Sequence, residues 1–516
     1  MCYRGGMIAW GRVGWVFVAL GAAAGCGDSG GRGDSASQTS TLPATDPTLT
    51  GSVPTTSVSG VSMTDSEVGS MSQSESQTTP SSPTDMTATP TDPTVTTGPI
   101  TVTDPTPGTT LTTTTTTTSE TATATLTGTD VTTGDPCQGG MGFDFSYLWV
   151  ANTDQGSLSK VNTMTLIEEA RYYADPNMSG VANTSRTSVN IDGHFVVVSN
   201  RDTGWVTKVA ASEPDCIDKN GNGIIDTSPD KDTLLPWGMD ECVIWSTQVT
   251  NNVFSVGAGP RATAWAPGDF NPQTCVYDNQ KVWVGWLIAP GHAVMGRLDG
   301  ATGVVEGMAD LPNWPLTADA NNGYAPYGAA ADFAGNIWTT SVFTGLAVRI
   351  NPVTFEATIF TSPDPDSHYG MTVDNKGRVW FANYGGAHGQ VSMFDPSDET
   401  WHLIPGTGNN LYRGIAADSD DQVWIASNAG GTNGCGMMQV DGVNLTGVQF
   451  HNFPQCGTPV GMSIDVDGDV WMVDYNGWAY EIDPVSYQKT LIPIANVHYT
   501  YSDMTGGGLK NAVTPG

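Results

Sequence analysis

The sequence predicts an all-β fold: a seven-bladed β-propeller closed by its N- and C-terminal strands, preceded by a disordered Ser/Thr/Pro-rich stalk. Three observations predict it. A strand–turn–strand unit recurs at blade-length intervals from about residue 145. The first unit lacks its leading strand, and a strand of that kind reappears after the last unit. The region before the repeats carries too few apolar residues to offset the entropy of ordering it.

The repeat is clearest at Gly335-Asn-Ile-Trp338, Gly377-Arg-Val-Trp380, Asp421-Gln-Val-Trp424 and Gly468-Asp-Val-Trp471. Each follows a small or apolar strand that ends in a turn: GAAADFAG, GMTVDNKG, GIAADSDD and GMSIDVDG. Strands such as Val348-Arg-Ile-Asn-Pro352 and Tyr480-Glu-Ile-Asp-Pro484 come next. Weaker copies centre on Trp149, Val197 and Trp283, which makes seven units. Successive anchors lie 48, 86, 55, 42, 44 and 47 residues apart, against about 40–50 residues for a four-stranded blade. The interval of 86 contains an insertion, placed at about residues 211–258. Asp-x-x-Gly turns the first strand into the second, because Gly accepts positive φ and Asp bonds its own turn backbone. The Trp or Val anchors are expected as apolar wedges between adjacent blades. The first unit opens at Tyr147 on its Trp strand, so His498–Gly506 is expected to complete that blade from inside and remove a free sheet edge.

The domain reading is then 1–25 signal peptide, 26–136 linker and 137–516 propeller. Arg4 and Arg12 precede a short apolar run, Val13 to Leu20, too short to span a bilayer and followed by small residues. Ala23-Ala24-Gly25-Cys26 resembles a bacterial lipobox. That resemblance implies cleavage before Cys26 and its acylation, an export route, and membrane attachment through the lipid alone. The linker, with Thr112 to Thr118 unbroken, would hold the head off the surface. Fifty-two acidic residues against 19 basic give a net charge of −33, which excludes nucleic acid as a natural partner. A monomer is expected. Cys2 leaves with the signal, and six cysteines remain for an oxidising compartment. Fifteen pairings are open; local Cys216–Cys242 and Cys435–Cys456 are preferred, which leaves Cys137 for Cys275.

The repeats, read as Gly-apolar-x-x-Asp-x-x-Gly-x-apolar-Trp, resemble the streptogramin B lyase (virginiamycin B lyase) family over about residues 145–510. The resemblance implies the propeller fold. Those lyases carry Pro-His-Gly triplets at inner-strand starts and Trp-Phe-Thr-Glu on second strands, whose His and Glu provide a metal site and a general base. Here the triplets read Pro326-Tyr327-Gly328, His368-Tyr369-Gly370, Tyr412-Arg413-Gly414 and Pro459-Val460-Gly461. The Glu positions read Ser341, Asn383 or Tyr384, Ser427 and Asp474. The lyase groups have no counterparts there, so no catalytic residue is assigned. A binding or interaction module of the cell envelope is expected rather than a C–O lyase or hydrolase.

Two candidate sites follow from the residues. Asp218-Lys-Asn220-Gly-Asn222-Gly223-Ile224-Ile-Asp226 fits the first nine positions of a calcium loop. Side-chain oxygens at alternate positions converge there, and Ile224 offers its carbonyl. Pro229 stands where the bidentate Glu belongs, so Asp230 or Asp232 is expected to substitute around a structural Ca2+. The second site comes from stacking the repeats. Arg186, Arg261, Tyr327, Tyr369, Arg413, Val460 and Asp503, with His368 beside Tyr369, are expected to ring one channel mouth. Arginine forks and tyrosines there suit an anionic ligand.

Overall fold

The computed structural model describes residues 146–516 apart from 317–321, 364–366, 386–388, 454, 496 and 514–516. The signal peptide, Cys26, the linker and Cys137 lie outside the described residues. The first blade holds β1 (Tyr147–Asn152), β2 (Ser157–Asn162) and β3 (Ile167–Tyr173). The second holds β4 (Thr184–Val189), β5 (Phe195–Asn200), β6 (Trp205–Ala210) and β7 (Val243–Gln248). The third starts with β8 (Thr263–Ala266), is interrupted by a hairpin of β9 (Asp269–Asn271) and β10 (Val276–Asp278), and resumes with β11 (Lys281–Ala289), β12 (His292–Asp299) and β13 (Val305–Pro312). The fourth comprises β14 (Ala329–Ala331), β15 (Ile337–Thr339), β16 (Leu346–Ile350) and β17 (Ala357–Thr361). The fifth is β18 (His368–Val373), β19 (Val379–Asn383), β20 (Ser392–Asp395) and β21 (Thr400–Leu403). The sixth is β22 (Tyr412–Ala417), β23 (Gln422–Ser427), β24 (Gly436–Asp441) and β25 (Thr446–Asn452). The seventh is β26 (Pro459–Ile464), β27 (Val470–Asp474), β28 (Trp478–Ile482) and β29 (Lys489–Pro493). Every blade is an antiparallel meander.

The repeat consensus owes its persistence to one hydrogen-bonded unit. In the fourth blade Asp332 turns β14 into β15. Its Oδ1 accepts the amides of Ala334 and Asn336 at 3.0 and 2.9 Å, and its Oδ2 accepts the Trp338 indole N–H at 2.9 Å. Asp374, Asp418 and Asp465 hold Trp380, Trp424 and Trp471 the same way, each at 2.8 Å. The Asp therefore shapes the turn and also lets a Trp be buried without orphaning its N–H. Trp149 and Trp283 have no such Asp six residues earlier (Phe143 and Tyr277 stand there), and their indole nitrogens are buried without a partner. In the sixth blade Asp421 replaces the turn Gly and still adopts φ 60°.

The ring closes where expected but not as a regular strand. Trp149 N donates to Met504 O and Thr153 N to Val497 O, and Asn152 bridges His498. On the other side Ser185 Oγ reaches Tyr499 O and Val189 N reaches Asp503 O. Ser502, at φ 95°, breaks the regular pairing between. The chain then runs through Gly506 into a short helix, α1 (Gly507–Val513), which the sequence reading did not anticipate. Leu509, Ala512 and Val513 are buried, and Asn511 Nδ2 donates to the carbonyls of Ala417 and Asp418. The helix thus closes one end of the channel over a cavity of about 40 Å³.

The long interval between Val197 and Trp283 contains two interruptions. The stretch assigned to one insertion includes β7, which is the fourth strand of the second blade. The first interruption is the segment between β6 and β7, sealed by Cys216–Cys242; the second is the β9–β10 hairpin. Cys435–Cys456 forms as preferred. Cys275 is disulfide-bonded as well, and Cys137, its expected partner, lies outside the described residues. No helix of the described residues is long and apolar enough to cross a membrane.

Candidate functional site

Inner strands converge on the axis, and the Gly of each triplet is what allows it. A Cβ at Gly370 would meet Arg413 O at 2.0 Å, and one at Gly414 would meet Met462 N at 2.6 Å. Beside these glycines the ladders slip. Register shifts occur between Thr184 and Thr187, His368 and Gly370, Tyr412 and Ile415, and Pro459 and Gly461. A bulge re-aims the side chain it carries. Arg186, Tyr369, Arg413 and Val460 sit on these four bulges.

Arg186, Arg261, Tyr327, Tyr369, Arg413 and Val460 do come together, with Tyr324, Tyr499 and Tyr501, at the end of the channel opposite α1. They form a closed plug rather than an open rim: Arg186 and Arg261 are 0% exposed and Arg413 2%. The guanidiniums lie among aromatic rings. Arg186 Cζ sits 3.1 Å from the Tyr501 centroid and 4.4 Å from that of Tyr327; Arg413 Cζ is 4.8 Å from both Tyr369 and Tyr384. Arg261 stacks near Tyr324 and Tyr327, and buried Arg201 lies 4.5 Å from Tyr499. Tyrosine faces attract cations, but they do not neutralise them.

Hydrogen bonding leaves a definite remainder. Arg186 Nε donates to Tyr327 O at 3.1 Å and Nη1 to Ser185 Oγ at 3.0 Å, while Nη2 is buried with no acceptor. Arg413 Nη1 donates to the Tyr369 hydroxyl at 2.5 Å and the Tyr499 hydroxyl at 3.3 Å, while its Nε is buried with no acceptor. Tyr327 and Tyr499 share a hydroxyl contact at 3.0 Å, and the Tyr369 hydroxyl touches that of Tyr499 too. Among the described residues no carboxylate pairs with Arg186 or Arg413. Burial pulls the Arg186 guanidinium down to about 9, and the neighbouring charges of Arg201 and Arg413 act in the same direction. Arg261 is lowered by burial as well. Burial raises Tyr327 and Tyr499, so their hydroxyls stay protonated.

Two expected members of the ring are elsewhere. Asp503 lies at the α1 end: its carboxylate accepts the amides of Gly506 and Leu509 at 2.9 and 2.7 Å, and it does not face the arginines. His368 starts an inner strand, but its ring stacks on Phe381 at 4.0 Å and on Trp401 at 5.6 Å, with Nδ1 near Thr340 Oγ1 and Leu346 O. Across the bulge the two side chains part: Tyr369 faces the channel, and His368 packs into the blade on Phe381 and Trp401. Strand alternation would have found Tyr499 and Tyr501, two apart on the closing segment.

In the insertion, Asn220 Nδ2 and Asn222 Nδ2 both donate to Asp226 Oδ2, at 2.7 and 3.2 Å. Asp218 accepts the amides of Gly221, Asn222 and Gly223. The side chains of Asn220, Asn222 and Asp226 therefore meet at one exposed point, and Asp218 holds the turn amides of the same loop. Asp230 is occupied by its own turn, accepting Asp232 N and Thr233 N. Glu241 supports the loop instead, accepting the amides of Lys219, Asn220 and Asp226. Elsewhere, Cys435, Cys456 and Asp474 lie close enough to hold a metal, but both sulfurs are in the disulfide and Asp474 accepts the amides of Gly457 and Thr458.

Fold and site together define a seven-bladed propeller whose axis is filled by buried arginines and tyrosines. No family model and no curated protein matches the sequence. Solved structures do resemble it. One is a streptogramin B lyase, at 19% identity and TM-score 0.34 over 42% of this chain and 66% of that one. Another is a catalytically inactive virginiamycin B lyase from Staphylococcus aureus with quinupristin, at 14% identity and TM-score 0.43, covering 68% and 89%. A third is apo AztD from Citrobacter koseri, at 12% identity and TM-score 0.42, covering 70% and 99%. The chain spans just under two thirds of the first of these.

Proposed function

We propose that this chain is an exported cell-envelope lipoprotein, anchored through acylated Cys26, whose propeller head is a binding module for an anionic ligand. The ligand is taken at the Arg/Tyr end of the channel. One observation carries the reading: Arg186 is wholly buried, and no carboxylate among the described residues balances it. A buried charge without a counter-ion costs several kcal/mol, on the order of 3–5 for a broken buried pair, and an anion removes that cost. Binding is favoured over catalysis because Tyr327, Tyr369, Arg413 and Val460 stand where the lyases carry His. We also propose that the 218–226 loop takes a structural Ca2+.

A thermal-shift screen of the full mature protein at fixed ionic strength tests the binding function. Anionic compounds should raise the melting temperature, and Arg186→Gln should remove the effect. Hits confined to neutral or cationic compounds and indifferent to Arg186→Gln would overturn the reading. Incorporation of labelled palmitate, lost in Cys26→Ser, tests the anchor. Purified protein should leave a streptogramin B intact.

A further inference from the structure

We infer that the group held at the axis is a carboxylate, gripped by Arg413, Arg186 and Tyr501; the inference rests on the anion-binding function just proposed and narrows it. The hydrogen-bonding groups left unmatched decide the class. Arg413 uses only Nη1, on Tyr369 and Tyr499. Its Nε has no acceptor, and its Nη2 donates to none of the described residues. The Nε–Nη2 edge is therefore unmatched along its whole length. That edge presents two parallel N–H groups at the spacing of the two oxygens of a carboxylate. Two further donors stand in the same cluster. Arg186 Nη2 is unmatched, and so is the Tyr501 hydroxyl, whose ring lies against the Arg186 guanidinium.

The unmatched atoms of Arg186, Arg413 and Tyr501 are all able to donate, so the missing partner is an acceptor. Its negative sign follows from the two guanidiniums. Water would satisfy the bonds and leave the charge unbalanced, and a neutral amide would bring a donor of its own onto the Arg413 edge. The two donors of the edge and the two single donors match the four in-plane lone pairs of a carboxylate, whereas a tetrahedral oxyanion spreads more acceptor sites around a sphere and would leave much of that capacity unmet. A planar monoanion fits that number and arrangement. Among the described residues, half-buried Phe343 stands beside the cluster, 6.1 Å from Tyr324, 6.4 Å from Tyr369 and 6.5 Å from Tyr384. A ligand whose carboxylate reaches Arg413 passes these rings, so its body is apolar or aromatic. Two sources share that chemistry, a small organic acid and the C-terminus of a polypeptide. The plug is closed, with Arg413 only 2% exposed, so rim side chains move before the ligand enters and association is slow.

Titration calorimetry on the full mature protein at constant ionic strength tests this. The probes are benzoate, hexanoate, benzamide, phosphate, sulfate, and a short peptide ending in Phe with a free or amidated C-terminus. Benzoate, hexanoate or the free-acid peptide should bind, while benzamide and the amidated peptide should not. Arg413→Lys keeps the charge and removes the edge, and should weaken carboxylate binding at least ten-fold; Tyr501→Phe should weaken it a few-fold and serves if Arg413→Lys does not fold. Small acids alone binding, or the free-acid peptide alone, would each support the carboxylate and identify its source. Phosphate or sulfate binding more tightly than any carboxylate, unaffected by Arg413→Lys and Tyr501→Phe, would overturn the carboxylate and leave the anion-binding function standing. No binding by any anion, or a crystal structure with one of the chain's own carboxylates on Arg413 Nε, would overturn both.

Discussion

Asp332→Ala offers the sharpest test of what the repeat consensus is for. The carboxylate makes two kinds of bond with different worth. The amides of Ala334 and Asn336 lie in a surface turn, where water can replace Oδ1; losing them should cost about 1 kcal/mol. The Trp338 indole is 0% exposed and points into the blade, where no water replaces Oδ2. Orphaning it should cost about 1–3 kcal/mol. The expected total is about 2–4 kcal/mol, read from urea unfolding followed by far-UV circular dichroism. A double-mutant cycle isolates the indole: in a Trp338→Phe background, Asp332→Ala should cost only the turn's share, a coupling of about 1–3 kcal/mol. Trp283 gives an internal control, because its indole N–H already lacks a partner. Trp283→Phe should therefore cost less than Trp338→Phe by about that coupling. If Asp332→Ala costs the same in both backgrounds, the Asp serves the turn alone and the argument for its pairing with Trp fails.

His368 and His498 are buried, and burial pulls both imidazoles down to about 4. The unfolded chain takes up those protons near pH 6.5, so stability is full above that value and is lost as pH falls toward 4. His368→Phe, which keeps the ring stack on Phe381, should remove about one proton's worth of that slope; an unchanged slope would refute the assignment. Asp469 acts with the opposite sign. Burial, then Asp465, Glu481, Asp483 and Asp467, raise it to about 6, so its contribution improves as pH falls from 6 toward the ordinary Asp range. Asp469→Asn should make stability between pH 6 and 4 fall more steeply, and no change in steepness would count against the like-charge cluster. At the insertion, calcium should bind the parent with moderate affinity, given two Asp and two Asn ligands, and not Asp218→Ala; identical isotherms would exclude the loop as a calcium site.

Blade count, turn chemistry and two disulfides were legible in the sequence because each rests on a local rule repeated at a fixed interval. The ring closure was legible for the same reason, since Tyr147 opens without a partner and His498–Gly506 supplies one. What escaped notice is where a local rule meets a long-range contact. The Asp–Trp bond joins positions six apart whose conjunction looks like two separate conventions, a turn residue and a core residue. The insertion looked single because the anchors by which blades were counted lie on second strands, and β7, although it carries Trp245, is a fourth strand. The helix α1 has only seven residues, too few to show an apolar period, and it forms because the channel end offers Leu509, Ala512 and Val513 a place to be buried. The site illustrates the point most fully. Stacking the repeats identified Arg186, Tyr327, Tyr369 and Arg413, each 11 residues before its blade's anchor, and Arg261, which stands 22 before Trp283 because the β9–β10 hairpin intervenes. It misplaced His368 because its ring packs to the side of the strand away from the channel, and Asp503 because the closing segment has run to the α1 end of the channel by that residue; it passed over Tyr499 and Tyr501 because they have no place in the repeat. The bulges explain how Arg186 and Arg413 reach the axis: with regular pairing the faces of the sixth blade's inner strand would alternate strictly, and Gly414, needed for close approach, would compete with Arg413, needed for charge. Slipping the register by a residue lets both occupy the axis side by side. That arrangement gathers guanidiniums in a chain of net charge −33, and the proposed anion would supply the counter-charge that no carboxylate of the described residues gives Arg186 or Arg413.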